Sequence, residues 1–288
     1  MLWTRPDGSK VRDVSALRRF MPYLLRTRNE SYVLFEQELD LTRTLRYLDL
    51  ANAAGAGAGA DGGEDSSLKL FHVVLCAMAR LFARRPQLNR FVTGGTLYQR
   101  RHIELSFAIK KQHTDAGGLT TTKLRFRGDE TPREIADAVQ AAVRFGRSDK
   151  QSQADRETAL VVRLPGPFLR LLLWLQRGLD AWNLLPASLI DPDPLYCSIF
   201  LANLGSIGLD SAYHHLFEYG TCSFFAVVGK VRPRRALDGD GAVAARETLS
   251  IKYTFDERIT DGWYCARSLE LFRDWVEDPL QLDEPPKE

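Results

Sequence analysis

The side chains in this 288-residue chain with pKa values suited to proton transfer or nucleophilic attack near neutrality are five histidines and four cysteines. His214 and His215 are adjacent, and Glu218 or Glu257 could orient one of them as a general base. The plainer reading is a loop or helix end that carries two ordinary histidines. His72 lies in an apolar run and reads as a core residue, while His102 and His113 flank a strand and read as solvated. Cysteines at 76, 197, 222 and 265 include no Cys-x-x-Cys pair and no histidine at ligand spacing. That spacing argues against structural zinc and a disulfide framework, and for buried, reduced thiols. No Gly-x-Gly-x-x-Gly or P-loop pattern appears, so no standard nucleotide site is expected. Arg100-Arg101 and Arg232-Pro233-Arg234-Arg235 read as solvated loop ends, with phosphate contact as the alternative.

Strands and helices must position these groups, and they are interspersed along the chain. A basic helix is predicted within 10–30, a strand over 31–39 and an apolar helix over 68–84 that Pro86 ends. Between them, Asn52 to Ser67 is nearly all Ala, Gly, Asp, Glu and Ser and reads as a flexible surface loop. Gly94-Gly95 marks a turn, and strands are expected over 103–109 and 120–126. Thr131-Pro132-Arg133-Glu134 carries a hydroxyl N-cap, Pro at the first helical position and Glu at the third, so a helix runs from there to about Phe145. A polar stretch follows, 147–158. Further strands are expected over 198–201, 222–231 and 247–255, with a loop at 236–244, a last helix over 262–276 and a frayed tail at 280–288.

Residues 164–194 stand apart. Phe168, Leu171, Leu172, Leu175, Leu179 and Trp182 recur at helical spacing with Arg170 and Arg177 opposite, and five prolines bracket the segment. One reading is a helix packed on the chain's own core or on a neighbouring subunit. The other is a membrane-surface helix, or the wall of an acyl-chain pocket.

Composition sets the class. With 39 basic and 37 acidic side chains the formal charge is +2, which argues against a broad cationic face for nucleic acid. No signal-like leader opens the sequence, and no uninterrupted apolar run reaches the roughly 20 residues of a membrane span. A cytoplasmic protein, if anything peripheral to a membrane, is expected. Interspersed strands and helices argue for a single α/β domain, 1–288, with a mixed sheet.

Asp256-Glu257-Arg258-Ile259-Thr260-Asp261-Gly262, after a strand and before a helix, resembles the Asp-His-Arg-x-x-Asp-Gly signature of dihydrolipoamide acyltransferases. These are core subunits of 2-oxoacid dehydrogenase complexes, and chloramphenicol acetyltransferase shares their fold. Ala202-Asn203-Leu204-Gly205 resembles the family's Ser-Asn-Leu-Gly turn, and Ala226 to Val231 is similar to the strand that follows it. Arg85-Pro86-Gln87-Leu88-Asn89 resembles the family's Pro-x-Leu-Asn after a long helix. The resemblance spans roughly Val11 to Asp278, leaving out 52–67 and 164–194, the latter looking like an insertion. No lipoyl-carrying or subunit-binding domain is recognised, so no lipoyl attachment on this chain is expected.

The resemblance implies a chloramphenicol acetyltransferase-like mixed sheet flanked by helices. It also implies a homotrimer, which in some relatives builds a larger assembly, and an active site between subunits reached by coenzyme A. In the family the signature His takes the thiol proton and a hydroxyl in the Ser-Asn-Leu-Gly turn stabilises the oxyanion. Glu257 and Ala202 occupy those two positions here. Carboxylate and thiol reference values of about 4.3 and about 8.5 differ by ~4 units, which makes Glu257 a weak base. Asp261, Gly262, Arg258 and Asn203 remain, with Arg18 or Arg19 as the expected partner of Asp261. The expectation is a catalytically degenerate scaffold or acyl-CoA-binding module, without a metal, whose partner is acyl-CoA or a protein. The first alternative is an active enzyme using His214, His215 or Glu257 as base. His214-His215 is similar to the superfamily's His-His-x-x-x-Asp-Gly motif, although Tyr219 replaces its Asp. The second alternative is a membrane-surface protein docking through residues 168–182.

Overall fold

The structure, a computed structural model, describes residues 5–57, 67–110, 118–147, 161–237, 241 and 243–285. His113, residues 58–66 of the expected first loop and residues 148–158 of the polar stretch lie outside them.

A six-stranded mixed sheet forms the frame. Its strands are β2 (Tyr32–Asp40), β5 (Ile103–Lys110), β6 (Leu119–Phe126), β7 (Ile199–Asn203), β8 (Phe224–Leu237) and β9 (Val243–Asp256). They lie in the order β2-β9-β8-β7-β5-β6. β7 runs parallel to both β5 and β8, and the other pairs are antiparallel. A smaller antiparallel sheet joins β1 (Gly8–Lys10), β4 (Thr96–Arg100) and β3 (Arg90–Thr93), with the Gly94-Gly95 turn closing the β3–β4 hairpin. Both glycines have positive φ there, as a two-residue hairpin turn requires.

Alternation along the strands divides the large sheet into two unlike faces. Ile199, Leu201, Phe224, Ala226, Ile251 and Tyr253 point into the main core. That face is covered by α2 (Thr42–Gly57), α3 (Leu70–Arg84), α4 (Pro132–Arg147) and α7 (Gly262–Glu277). Phe200, Phe225 and Val227 point the other way, into a small cluster closed by Cys197, Leu216 and Cys222, with Ala202 packed at its edge. Beyond that cluster the second face is open, and Tyr32 and Leu34 on the edge strand β2 are exposed. α1 (Ala16–Leu24), α5 (Gly166–Ala181) and the short α6 (Ala187–Ile190) complete the elements.

α3 is buried along nearly its whole length, which its run of apolar residues requires. It takes His72 with it, whose Nδ1 accepts from Lys69 N at 3.1 Å. Burial pushes the His72 imidazole down to about 4, so it is neutral in the core. α4 starts on the expected reciprocal cap. Thr131 Oγ1 accepts from Glu134 N at 3.3 Å, and Glu134 Oε2 accepts from Thr131 N at 2.8 Å.

Several expectations differ from what is seen. Arg100 is buried against Asp7 and Thr221, Arg232 to Arg235 lie within β8, and β8 and β9 pair through both ends of the expected 236–244 loop. Asn52 to Gly57 is the end of α2 and not loop: alanine favours helix, and Asn52 is clipped to both backbone groups of Leu68. The tail does not fray from 280. Residues 279–282 form a 3-10 turn, Leu282 is buried, and Arg80 donates to the carbonyls of Gln281 and Leu282. Finally, α5 does not pack its leucines on the chain's own core, since Asp180 is its one buried residue.

Candidate functional site

The turn between β9 and α7 is built on a buried carboxylate–guanidinium pair. Asp256, at 0% exposure, accepts from Arg258 Nε at 2.8 Å and from Arg258 Nη2 at 2.7 Å, the bidentate geometry suited to that pairing. Ser31 Oγ donates to the same carboxylate at 3.0 Å, and Arg258 Nη1 donates to the Leu25 carbonyl at 2.9 Å. The turn is thus stitched to the segment before β2. Glu257 is half-buried on its crest, where its N–H donates to the Ser31 carbonyl and its own carbonyl accepts from Arg18. Asp261 is exposed and caps α7, accepting from Tyr264 N at 2.8 Å. The structural carboxylate is therefore Asp256 with Arg258, not Asp261 with Arg18 or Arg19. Asp256 was visible in the motif, but its partner two residues on becomes legible only once the turn is folded.

Ala202 and Asn203 end β7, paired with Val227 and Val228 of β8. The turn that follows presses on the next strand: a Cβ on Gly205 would lie 2.4 Å from the Gly229 carbonyl oxygen, so only glycine fits. Asn203 Oδ1 accepts from Ser206 N at 3.1 Å and the Asn203 carbonyl accepts from Ser206 Oγ at 2.7 Å. Asn203 therefore shapes the turn. Ala202 offers a methyl group where an oxyanion donor would need a hydroxyl.

His214 and His215 lie on the chain that crosses the second face of the sheet. The His214 ring stacks on Phe225 at 4.0 Å and on His215 at 4.5 Å, and Thr254 Oγ1 donates to the His214 carbonyl. Phe225 stacks in turn on Phe200, two residues before Ala202. The two histidines and Ala202 thus share the open face. His214 Nδ1 lies 2.7 Å from the His215 carbonyl oxygen, which can only accept, so Nδ1 carries the hydrogen, and in the neutral ring the lone pair is left on Nε2. Burial lowers the His214 pKa, which favours this neutral form. His215 is exposed. No described contact joins Glu257 to either histidine. Glu218 is turned to Arg28 and Asn29 and orients neither of them.

The four cysteines are all buried. Burial pushes the Cys76 and Cys265 thiols up to about 12 and Cys197 well above the usual range, while against its own burial the hydrogen bonds with Cys197 and the Phe224 backbone hold Cys222 below it. Among the described residues no group of three or more His, Cys, Asp and Glu side chains comes together for a metal. The structure has a cavity of about 180 Å³ beside α5 and a groove of about 750 Å³ between α2 and the C-terminal turn. Neither is lined by Glu257, Ala202, Asn203, His214 or His215.

No protein-family model matches the chain, and no curated protein is significantly similar to it. Solved structures are. A structure of Azotobacter vinelandii dihydrolipoamide acetyltransferase, directed at the catalytic roles of a serine, a histidine and an asparagine, is 16% identical, with a TM-score of 0.62 over 95% of this chain and 94% of that one. The cubic core of a pyruvate dehydrogenase multienzyme complex is 17% identical, with a TM-score of 0.61 over 95% and 94%. Chloramphenicol acetyltransferase is 15% identical, with a TM-score of 0.52 over 94% and 98%. The chain therefore has the chloramphenicol acetyltransferase-like fold. Within that fold it is similar to dihydrolipoamide acetyltransferase cores, and at these identities the likeness is one of architecture.

Proposed function

We propose that this protein is an oligomeric acyltransferase-fold module, catalytically degenerate, that binds acyl-CoA or a protein partner in the cytoplasm. One observation carries the reading. The Asp256–Arg258 pair and the Gly205–Gly229 contact hold the two turns, while the two positions that the resemblance assigns to the chemistry carry a carboxylate and a methyl group. A serine and a histidine are among the residues studied for catalysis in the Azotobacter structure. Ala202 and Glu257 stand at the positions that the sequence resemblance assigns to such a pair. A homotrimer agrees with the open second face of the sheet and with the assembled core among the similar structures.

The test is calorimetric titration with coenzyme A and acyl-CoAs of several chain lengths, with thiol release assayed on the same samples. Binding without turnover is expected. Acyl transfer at rates typical of enzymes, about 1–10³ s⁻¹, overturns the reading. A second reading, active transfer with a displaced base, is favoured by the His214 tautomer alone. It requires turnover in the wild type that His214→Ala abolishes while the oligomer persists.

A further inference from the structure

α5 inverts the usual arrangement of a surface helix, whose apolar stripe faces inward. Phe168, Leu171, Trp174, Leu175 and Leu179 are all exposed, and Trp182, just past the end, is 73% exposed. Polar contacts hold the helix to the protein instead. Asp180 pairs with Arg5 at 2.7 Å and accepts from Thr93 Oγ1 at 3.0 Å, and Gln176 Nε2 donates to Tyr219 Oη at 2.6 Å. These contacts fix α5 on the surface with its stripe uncovered.

Charge decides what can cover it. From residue 161 to 184 the charged side chains are Arg163, Arg170, Arg177 and Asp180. The three arginines are exposed, and the carboxylate is taken up by Arg5. At the C-terminal end of the helix, Arg177 and Asp180 border the cavity of about 180 Å³, with Arg26, Arg28, Arg258 and Glu218 as its other charged walls. Both carboxylates there are already engaged, Asp180 as above and Glu218 by Arg28 N, Asn29 N and Asn29 Nδ2. Arg28 is 5% exposed, and its Nη atoms donate only to the carbonyls of Phe217, Glu218, Val92 and Gly220. Its Nε has no hydrogen-bond partner among the described residues. The guanidinium is thus buried with no carboxylate in hydrogen-bond contact, and burial lowers its pKa. A cavity of this size and sign suits a phosphate-sized anion better than a drug-sized ligand.

We propose that α5 and the arginine-lined cavity at its end form a docking surface for an anionic phospholipid bilayer. The cavity takes a headgroup phosphate, and Trp174, Trp182 and the leucine stripe enter the boundary between headgroups and acyl chains. A stripe rimmed by Arg163, Arg170 and Arg177, with Asp180 held by Arg5, matches a surface that is both apolar and negatively charged, and tryptophan concentrates at that boundary. The inference does not depend on acyl-CoA binding.

The test is co-sedimentation of the full chain with vesicles of phosphatidylcholine alone and of phosphatidylcholine with phosphatidylglycerol. The wild type is expected to pellet with the anionic vesicles and to be released as salt rises. Replacing two cations with Arg26→Gln and Arg177→Gln should weaken that partition roughly 30-fold. The exposed pair Trp174→Ser and Trp182→Ser should abolish it while leaving the wild-type melting temperature and sedimentation coefficient unchanged. No pelleting with anionic vesicles, or equal pelleting with both kinds, overturns the proposal. So does dissociation of a lipid-free oligomer by the tryptophan substitutions, since the face is then a contact between copies. Stabilisation by millimolar inorganic phosphate in a protein that ignores vesicles also overturns it, the cavity then being a site for free anions.

Discussion

Glu257 and Ala202 stand at the positions to which the sequence resemblance assigns a His and a Ser. If degeneracy resides at those two side chains, Glu257→His with Ala202→Ser should raise acetyl transfer from acetyl-coenzyme A to a dithiol, with release of coenzyme A, above the wild-type background. A restored oxyanion donor contributes about 10²–10³-fold and a positioned base about 10²–10⁴-fold. A double variant that binds coenzyme A yet stays at background would place the defect elsewhere. Residue scale also fixes a pH dependence. The His72 pKa falls from the usual 6.5 to about 4 on folding, so between those values the unfolded chain binds a proton that the folded one refuses. Stability is then complete above about pH 6.5 and declines as pH falls toward 4, by up to about 3 kcal/mol. Urea unfolding at pH 7 and pH 4.5 should show that decline, and His72→Gln should reduce it.

At the scale of elements, the β9–α7 turn and helix α5 are both positioned by buried ion pairs. Asp256→Asn leaves the Arg258 guanidinium buried and short of its counter-charge, a loss of about 3–5 kcal/mol that urea unfolding would register. A loss under about 1 kcal/mol would show that Ser31 and the Leu25 carbonyl hold the turn by themselves. For α5, Asp180→Ala removes the acceptor of both Arg5 and Thr93. Trypsin should then cut after Arg170 and Arg177 several-fold faster than in the wild type, because cleavage follows local opening. Unchanged cleavage would assign the anchoring to Gln176 and to Asn183, which donates to Tyr98 Oη at 2.9 Å.

For the molecule as a whole, the two faces of the sheet have different fates. One is filled by four helices, and the other ends in a small cluster with open sheet beside it. A domain with an uncovered sheet face is expected to bury it against another copy. Sedimentation velocity should return three times the 32.6 kDa chain mass. A monomer at micromolar concentration would overturn the oligomer that the proposed function assumes. No described helix is long and apolar enough to cross a membrane, so any membrane contact through α5 is with its surface.

The sequence by itself determined what local chemistry controls. Hydrophobic periodicity located most strands and helices, Gly94-Gly95 and Thr131-Pro132 located a turn and a helix start, and the motif resemblance is what assigns Glu257 and Ala202 to the positions of a His and a Ser. α2 escaped because its Ala-rich end resembles the composition of a loop, and a contact with Leu68 fixes it. Only the tertiary structure decided that Asp256 carries the turn in place of Asp261, that the His214 Nδ1 faces the His215 carbonyl, and that α5 is tied down by Arg5 with its leucines outside. Arg5 and Asp180 are 175 residues apart, and nothing in the neighbourhood of either announces the other. Such pairs exist only after the chain closes on itself, because burial, and with it charge state and exposure, belongs to the folded surface and not to any local stretch of sequence.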